Sequence, residues 1–212
     1  MHIEPGMLSS AKLAIAQVAA AGLLLAHLPP LLKRPTLLLR TLLAATFFSL
    51  FMQSFHMPVG PSELHFVGAM PIYLTLGFLP TLFGFALGLL AQGLLFEPQD
   101  LVHLSVNTLS LAVPLIVIHR AFGQRIGQSL TLRRVLTLDA SYYGGLVLMV
   151  GFWLAVGEDA TPLADWLRFV GAYVSLVVLE PVVTLAVLRA VHAVRTQRWA
   201  RACFDERLTA AA

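Results

Sequence analysis

A histidine at the second position of the chain can chelate a metal ion together with the chain's own start. In residues 1–7 (MHIEPGM), a free α-amine on Met1, the amide nitrogen of His2 and the His2 ring would bind one ion through fused chelate rings. These three nitrogens lie in one plane, and a distant histidine can supply a fourth. A square-planar nitrogen set favours copper(II) or nickel(II) and accommodates cobalt(II), whereas zinc prefers a tetrahedron.

Few other residues offer strong metal ligands. Cys203 is the only cysteine, so one chain can build neither a disulfide framework nor a cysteine-based zinc or iron–sulfur site. Three further histidines, His56, His65 and His103, lie beside predicted loops, and imidazole is the commonest ligand for such metals. Taken singly, His56 and His103 are better interpreted as interface residues than as ligands. Four of the methionines suggest a thioether site for copper(I), but they form no cluster and fit helix packing better.

The composition indicates whether the segments that contain these residues lie in water or in a membrane. With 212 residues, 58% of them hydrophobic and 12% charged, and a mean hydropathy of +0.82, the chain has too little charge to cover a soluble globule. The basic residues occur in short clusters between apolar blocks, which indicates membrane topology and excludes a nucleic-acid-binding face. The opening lacks the basic stretch of a secretory signal, so we expect Met1 to persist.

The apolar blocks predict an all-α membrane protein with a bundle of about seven transmembrane helices in one domain, 1–212. Blocks near the ~20 residues needed to cross a bilayer occur at about 9–31, 36–55, 64–78, 79–97, 101–120, 138–157 and 163–190. A tight turn is predicted at 77–80, with a single kinked helix as the alternative. The basic residues then gather on one side, which places the N-terminus outside and a tail, 193–212, in the cytoplasm.

Several stretches resemble the CbiM/NikM family, the substrate-binding S components of cobalt and nickel energy-coupling-factor (ECF) transporters. The similarity covers the opening 1–8 (MHIEPGML), 47–59 (FFSLFMQSFHMPV), His65, 92–96 (QGLLF), Asn107 and 179–184 (LEPVVT). The resemblance implies that the Met1 amine, the His2 amide nitrogen and ring, and the His65 ring bind cobalt(II) or nickel(II) at an outer segment, 1–8. It also implies location in the cell (inner) membrane, a transmembrane coupling subunit and two cytoplasmic ATPases as partners, and no permanent cofactor.

Other polar or small residues have candidate supporting roles. Gln53, Gln92 and Asn107 share a similar depth near the outer helix ends, so they are interpreted as a polar floor or as packing contacts. Glu180 is a costly charge inside the last block, and pairing with a basic residue, a partner subunit or a proton would each explain it. Ala16 and Ala20 form a small-residue pair suited to close helix contact, and together with Glu180 they are candidates for partner coupling.

The sequence gives weaker support to two other classes of function. A membrane enzyme is disfavoured, because H-E-x-x-H and G-x-S-x-G motifs are absent. A metal-binding sensor or accessory protein without transport, or a copper-selective relative, fits the same residues. The choice between nickel and cobalt and the oligomeric state stay open at this point.

Overall fold

Most of the predicted apolar blocks form six long helices. The computed structural model describes residues 6–59, 62–123, 131–158 and 161–209. The helices are α1 Ser10–Leu32, α2 Pro35–Ser54, α3 Ala69–Leu76, α4 Phe78–Leu95, α5 Leu104–Phe122, α6 Leu132–Ala155, α7 Leu163–Val194, α8 Arg198–Cys203 and α9 Glu206–Thr209, with a 3₁₀ helix at Pro98–His103 before α5. Of these, α1, α2, α4, α5 with its 3₁₀ turn, α6 and α7 are long and apolar enough to cross a membrane. The prediction of an all-α membrane protein is confirmed.

A short hairpin caps one end of the bundle. Its strands, β1 His56–Val59 and β2 Ser62–His65, pair antiparallel between the end of α2 and the start of α3. We call this side the hairpin end and the opposite side, where α8 and α9 lie, the tail end. The sequence predicted no strands, because four-residue strands leave little trace among long apolar helices.

The predicted third span is replaced by a shorter crossing. Strand β2 leads through an extended stretch into α3, whose eight residues measure about 12 Å, far less than the ~30 Å of a hydrocarbon core. Every residue of α3 is buried, so surrounding helices rather than lipid enclose it. The chain nevertheless passes from the hairpin end to the tail end here, as the count of seven crossings requires.

The predicted turn between the third and fourth blocks is confirmed at Gly77. This residue separates α3 from α4 with φ 95° and ψ 171°, a backbone region that only glycine adopts readily. The alternative of one kinked helix is therefore wrong.

Helix α6 begins six residues earlier than predicted. The basic residues Arg133 and Arg134, expected in the preceding loop, occupy its first turn, and Thr131 caps it by accepting a hydrogen bond from the Arg134 amide. This earlier start carries Asp139 about two turns into the helix. Asp139 is therefore an interior residue and not an interface residue.

The helices pack around an aromatic core and present apolar side chains outward. Gly84 and Gly88 of α4 lie directly against Ala44 and Phe48 of α2, so that these two helices approach closely. Outward-facing residues such as Val18, which is 74% exposed, are apolar, as the lipid-facing surface of a membrane bundle requires.

The predicted tail folds back onto the bundle. Arg40 of α2 is buried and donates hydrogen bonds from Nε to the Ala202 carbonyl and from Nη2 to the Arg201 carbonyl, each 3.0 Å long. The amide of Asp205 donates to the Thr75 carbonyl at the end of α3, at 2.7 Å. The tail is thus attached to both α2 and α3.

Candidate metal-binding site

The hairpin brings two of the candidate histidines together. His56 and His65 are directly opposite in the strand register, and their rings stack with centroids 6.0 Å apart and planes inclined by 23°. Opposite residues of an antiparallel pair share one face, which explains the contact. His65 is buried at 4% exposure, whereas His56 is exposed and covers it.

Glu63 orients the His65 ring. It lies two residues before His65 on the same strand and therefore on the same face. Its Oε2 is 2.9 Å from His65 Nε2. A carboxylate in contact with a ligating imidazole fixes the ring's tautomer and orientation and raises its basicity. Glu63 was not singled out from the sequence, although its alternation with His65 in a strand was the available signal.

Two residues of the predicted polar floor meet beside His65. Gln53 donates from Nε2 to Gln92 Oε1 at 2.6 Å, and Gln92 donates in turn to the Ser49 carbonyl at 2.9 Å. They line one small cleft together with other residues of the hairpin end: Met52, His56, His65 and Glu97. This contact places the two glutamines side by side, and their role in supporting a metal site stays a prediction.

Asn107 and His103 are not among the residues that line this cleft. Both are buried near the start of α5, at 2% and 1% exposure. The Asn107 Oδ1 atom has no hydrogen-bond partner among the described residues. The supporting role predicted for Asn107 together with the two glutamines stays a prediction.

The start of the described chain lies at the same end as His65. Residues Met1 and His2 fall outside the described residues. The Met7 carbonyl accepts a hydrogen bond of 2.9 Å from the Glu158 amide, and Leu8 is buried in the bundle. Glu158 also accepts from Lys12 Nζ at 2.6 Å, and this bond and one from Ser9 hold the pKa of Glu158 below its ordinary value.

The described side chains alone do not assemble a metal cluster. Within residues 6–59, 62–123, 131–158 and 161–209, no group of three or more His, Cys, Asp or Glu side chains is placed to hold an ion. The predicted ligand set pairs the described His65 with the undescribed Met1 and His2, and it stays a prediction.

The three residues suggested for partner coupling are buried inside the helix bundle. Ala16 and Ala20 are buried in a cluster that also contains Val106 and Leu109 of α5. Glu180 is fully buried and accepts hydrogen bonds from the Met70 amide, at 2.8 Å, and from the Tyr143 hydroxyl. Two neutral donors thus contact Glu180, for which a basic partner was considered. A role of Ala16, Ala20 and Glu180 in partner coupling stays a prediction.

The chain is similar to one known protein family and to one solved structure. The family model CbiM, described as the cobalt uptake substrate-specific transmembrane region, matches residues 2–198. A crystal structure described as a transition metal transporter superposes with a TM-score of 0.76 at 21% identity, covering 94% of this chain and 96% of that one. That likeness shows a shared fold. No curated protein matches the sequence.

Proposed function

The chain belongs to the CbiM family, and from this premise we propose that it captures cobalt(II) or nickel(II) at the hairpin end for uptake. That it is a multi-pass membrane component of metal uptake follows from the family and from the six apolar helices. The identity of the ligands, the choice of metal and the route of energy coupling make up the proposal.

The observation that carries the proposal is the buried, carboxylate-oriented His65 at the end of the bundle where the chain begins. The Met7 carbonyl is held at that end by Glu158. Five residues precede Gly6, and an extended chain of that length spans up to about 17 Å. We infer that the α-amine of Met1 and the His2 nitrogens join His65 around one ion.

The nitrogen ligands suit the proposed cargo. Three nitrogens from Met1 and His2 and one from His65 give a planar set that favours nickel(II) and accommodates cobalt(II) over zinc. The exposed His56 ring lies over His65 and narrows access to it. Because the amine, the amide and both rings must lose or lack protons to bind, affinity should fall steeply in mild acid.

We further propose that partner subunits supply the energy. The chain has no G-x-x-x-x-G-K-[ST] phosphate loop. In the proposed arrangement, an ECF transmembrane coupling subunit and two cytoplasmic ATPases join the chain in the cell (inner) membrane. The hairpin end faces outward, and ATP hydrolysis by the partners releases the ion inside.

Equilibrium binding of cobalt(II) and nickel(II) to the purified protein tests the ligand set. We expect His2→Ala, His65→Ala and a variant with extra residues before Met1 each to lose at least tenfold in affinity. His192→Ala is the matched control, since it removes an exposed imidazole from the last turn of α7, away from the hairpin, and should retain binding. Full affinity in the extended variant would disprove the terminal-amine ligand, and full affinity in His65→Ala would disprove the site.

A further inference from the structure

Two carboxyl side chains meet deep inside the bundle. Asp139 of α6 and Glu180 of α7 are both fully buried, and each lies more than one turn from the ends of its helix. Asp139 lies one turn before Tyr143 on the same face of α6, and the Tyr143 hydroxyl donates to Glu180, so the two carboxyl groups lie on the same side of the α6–α7 contact. They are close enough to interact electrostatically. A buried carboxylate is costly unless a cation, hydrogen bonds or a proton stabilises it. The surroundings of the pair show which of these is available.

The groups around the pair are hydrogen-bond donors without positive charge. Glu180 accepts from the Met70 amide in the first turn of α3 and from the Tyr143 hydroxyl of α6. The titratable groups that face it are Asp139, Tyr142 and Tyr143 from α6 and Tyr173 from its own helix, while α3 contributes backbone N–H groups. Among these described neighbours none is a lysine, arginine or histidine.

The Asp139 carboxyl group lacks a hydrogen-bond donor among the described residues. Neither of its carboxyl oxygens receives a hydrogen bond from a donor among the described residues. The polar group beside it is the Glu180 carboxyl. Two ionised carboxylates are both acceptors and repel each other, so their contact becomes a hydrogen bond only when one of them carries a proton.

We propose that Asp139 and Glu180 share one proton at neutral pH and so form a proton-binding site in the interior of the bundle. The proton lies between the two carboxyl groups, and the single remaining negative charge is stabilised at Glu180. There the Met70 amide and the Tyr143 hydroxyl donate to it, and the positive end of the α3 dipole faces it.

This site is connected to the hairpin through α3. A second proton would neutralise the carboxylate that holds the first turn of α3, and α3 follows the strand carrying His65 within four residues. A second proton would therefore weaken the hydrogen bond that holds the first turn of α3. The inference does not depend on metal binding, because the proton can be observed in the metal-free protein.

Infrared spectroscopy of the full-length, metal-free protein in lipid tests the proposal. A protonated carboxyl group shows a C=O stretch separate from that of carboxylates, and this band shifts in D₂O. We expect one such band in the wild type at neutral pH, where exposed Asp and Glu are ionised. Asp139→Asn supplies an amide donor of the same shape to an ionised Glu180, so the band should disappear. In Glu180→Gln, Asp139 keeps its proton beside a neutral amide, so the band should shift in frequency.

Two results would overturn the proposal. The first is the absence of a protonated-carboxyl band in the wild type at neutral pH, which needs no variant. The second is a band that keeps its frequency and amplitude in both Asp139→Asn and Glu180→Gln, which would assign it to another group. Asp205→Asn, in the tail, is the control for loss of an unrelated carboxyl group and should leave the band unchanged.

Discussion

Replacing Glu63 by Gln should weaken metal binding without removing a proposed ligand. The Glu63 carboxylate lies 2.9 Å from His65 Nε2, and residues that orient a ligating histidine in this way typically contribute 10- to 100-fold to metal affinity. The Glu63 side chain is 35% exposed, so solvent screens its charge and the lower limit applies. We therefore expect a loss of about tenfold, which corresponds to about 1.4 kcal/mol.

The assay is competitive titration of cobalt(II) and nickel(II) at several pH values, with Glu97→Gln as the matched control. Glu97 lines the same cleft, and its substitution removes the same charge while Glu63 stays against His65. We expect roughly a twofold effect from the control, since it removes only a nearby charge. Equal effects of the two variants would show that Glu63 acts only through net charge, and an unchanged affinity in Glu63→Gln would refute its orienting role.

Three further predictions concern the tail and α3. Arg40→Met removes two hydrogen bonds that a buried guanidinium donates to the tail, a loss of about 3 kcal/mol. Amide hydrogen exchange in residues 198–209 should therefore become faster on the order of 100-fold. Arg34→Met, at an exposed arginine, is the control and should leave the exchange unchanged. Burial raises the pKa of Asp205, but hydrogen bonds and charge from Arg207 outweigh it and lower the net value. Its stabilisation is therefore present above the unfolded pKa of about 3.9 and lost as pH falls further, so protease sensitivity of the tail should rise only in strong acid and not in Asp205→Asn. Gly77→Ala should lower thermal stability by about 1–3 kcal/mol, because alanine is strained at φ 95° and ψ 171°.

The sequence predicted the long helices well because lipid imposes a simple length and composition on them. It could not distinguish the third block from a span, because an apolar stretch enclosed by other helices has the same composition as one that faces lipid. Only the position of Gly77 carried the signal that this block ends before a full crossing. The early start of α6 was missed for a related reason, since Arg133 and Arg134 were interpreted as loop residues although basic side chains extend readily from a helix end.

The sequence likewise predicted only part of the candidate site. Gln53 and Gln92 were grouped correctly because helical rise alone places them at one depth. The stacking of His56 on His65 was not predicted, since it depends on the register of a hairpin that hydropathy does not reveal. Asp139 was overlooked because the predicted helix began one residue before it, which placed an interior carboxyl group at the membrane surface.

Helix α3 is the physical connection between the two ends of the bundle. Its first turn is held by Glu180 through the Met70 amide, and its last turn is held by the tail through the bond from the Asp205 amide to the Thr75 carbonyl. Between these points every residue is buried in close packing, which transmits a displacement instead of absorbing it. A shift of the hairpin that also displaced α3 would either move the tail or break one of the two hydrogen bonds. Helix α3 thus joins the hairpin that carries His65 to the tail end through the two hydrogen bonds at its ends.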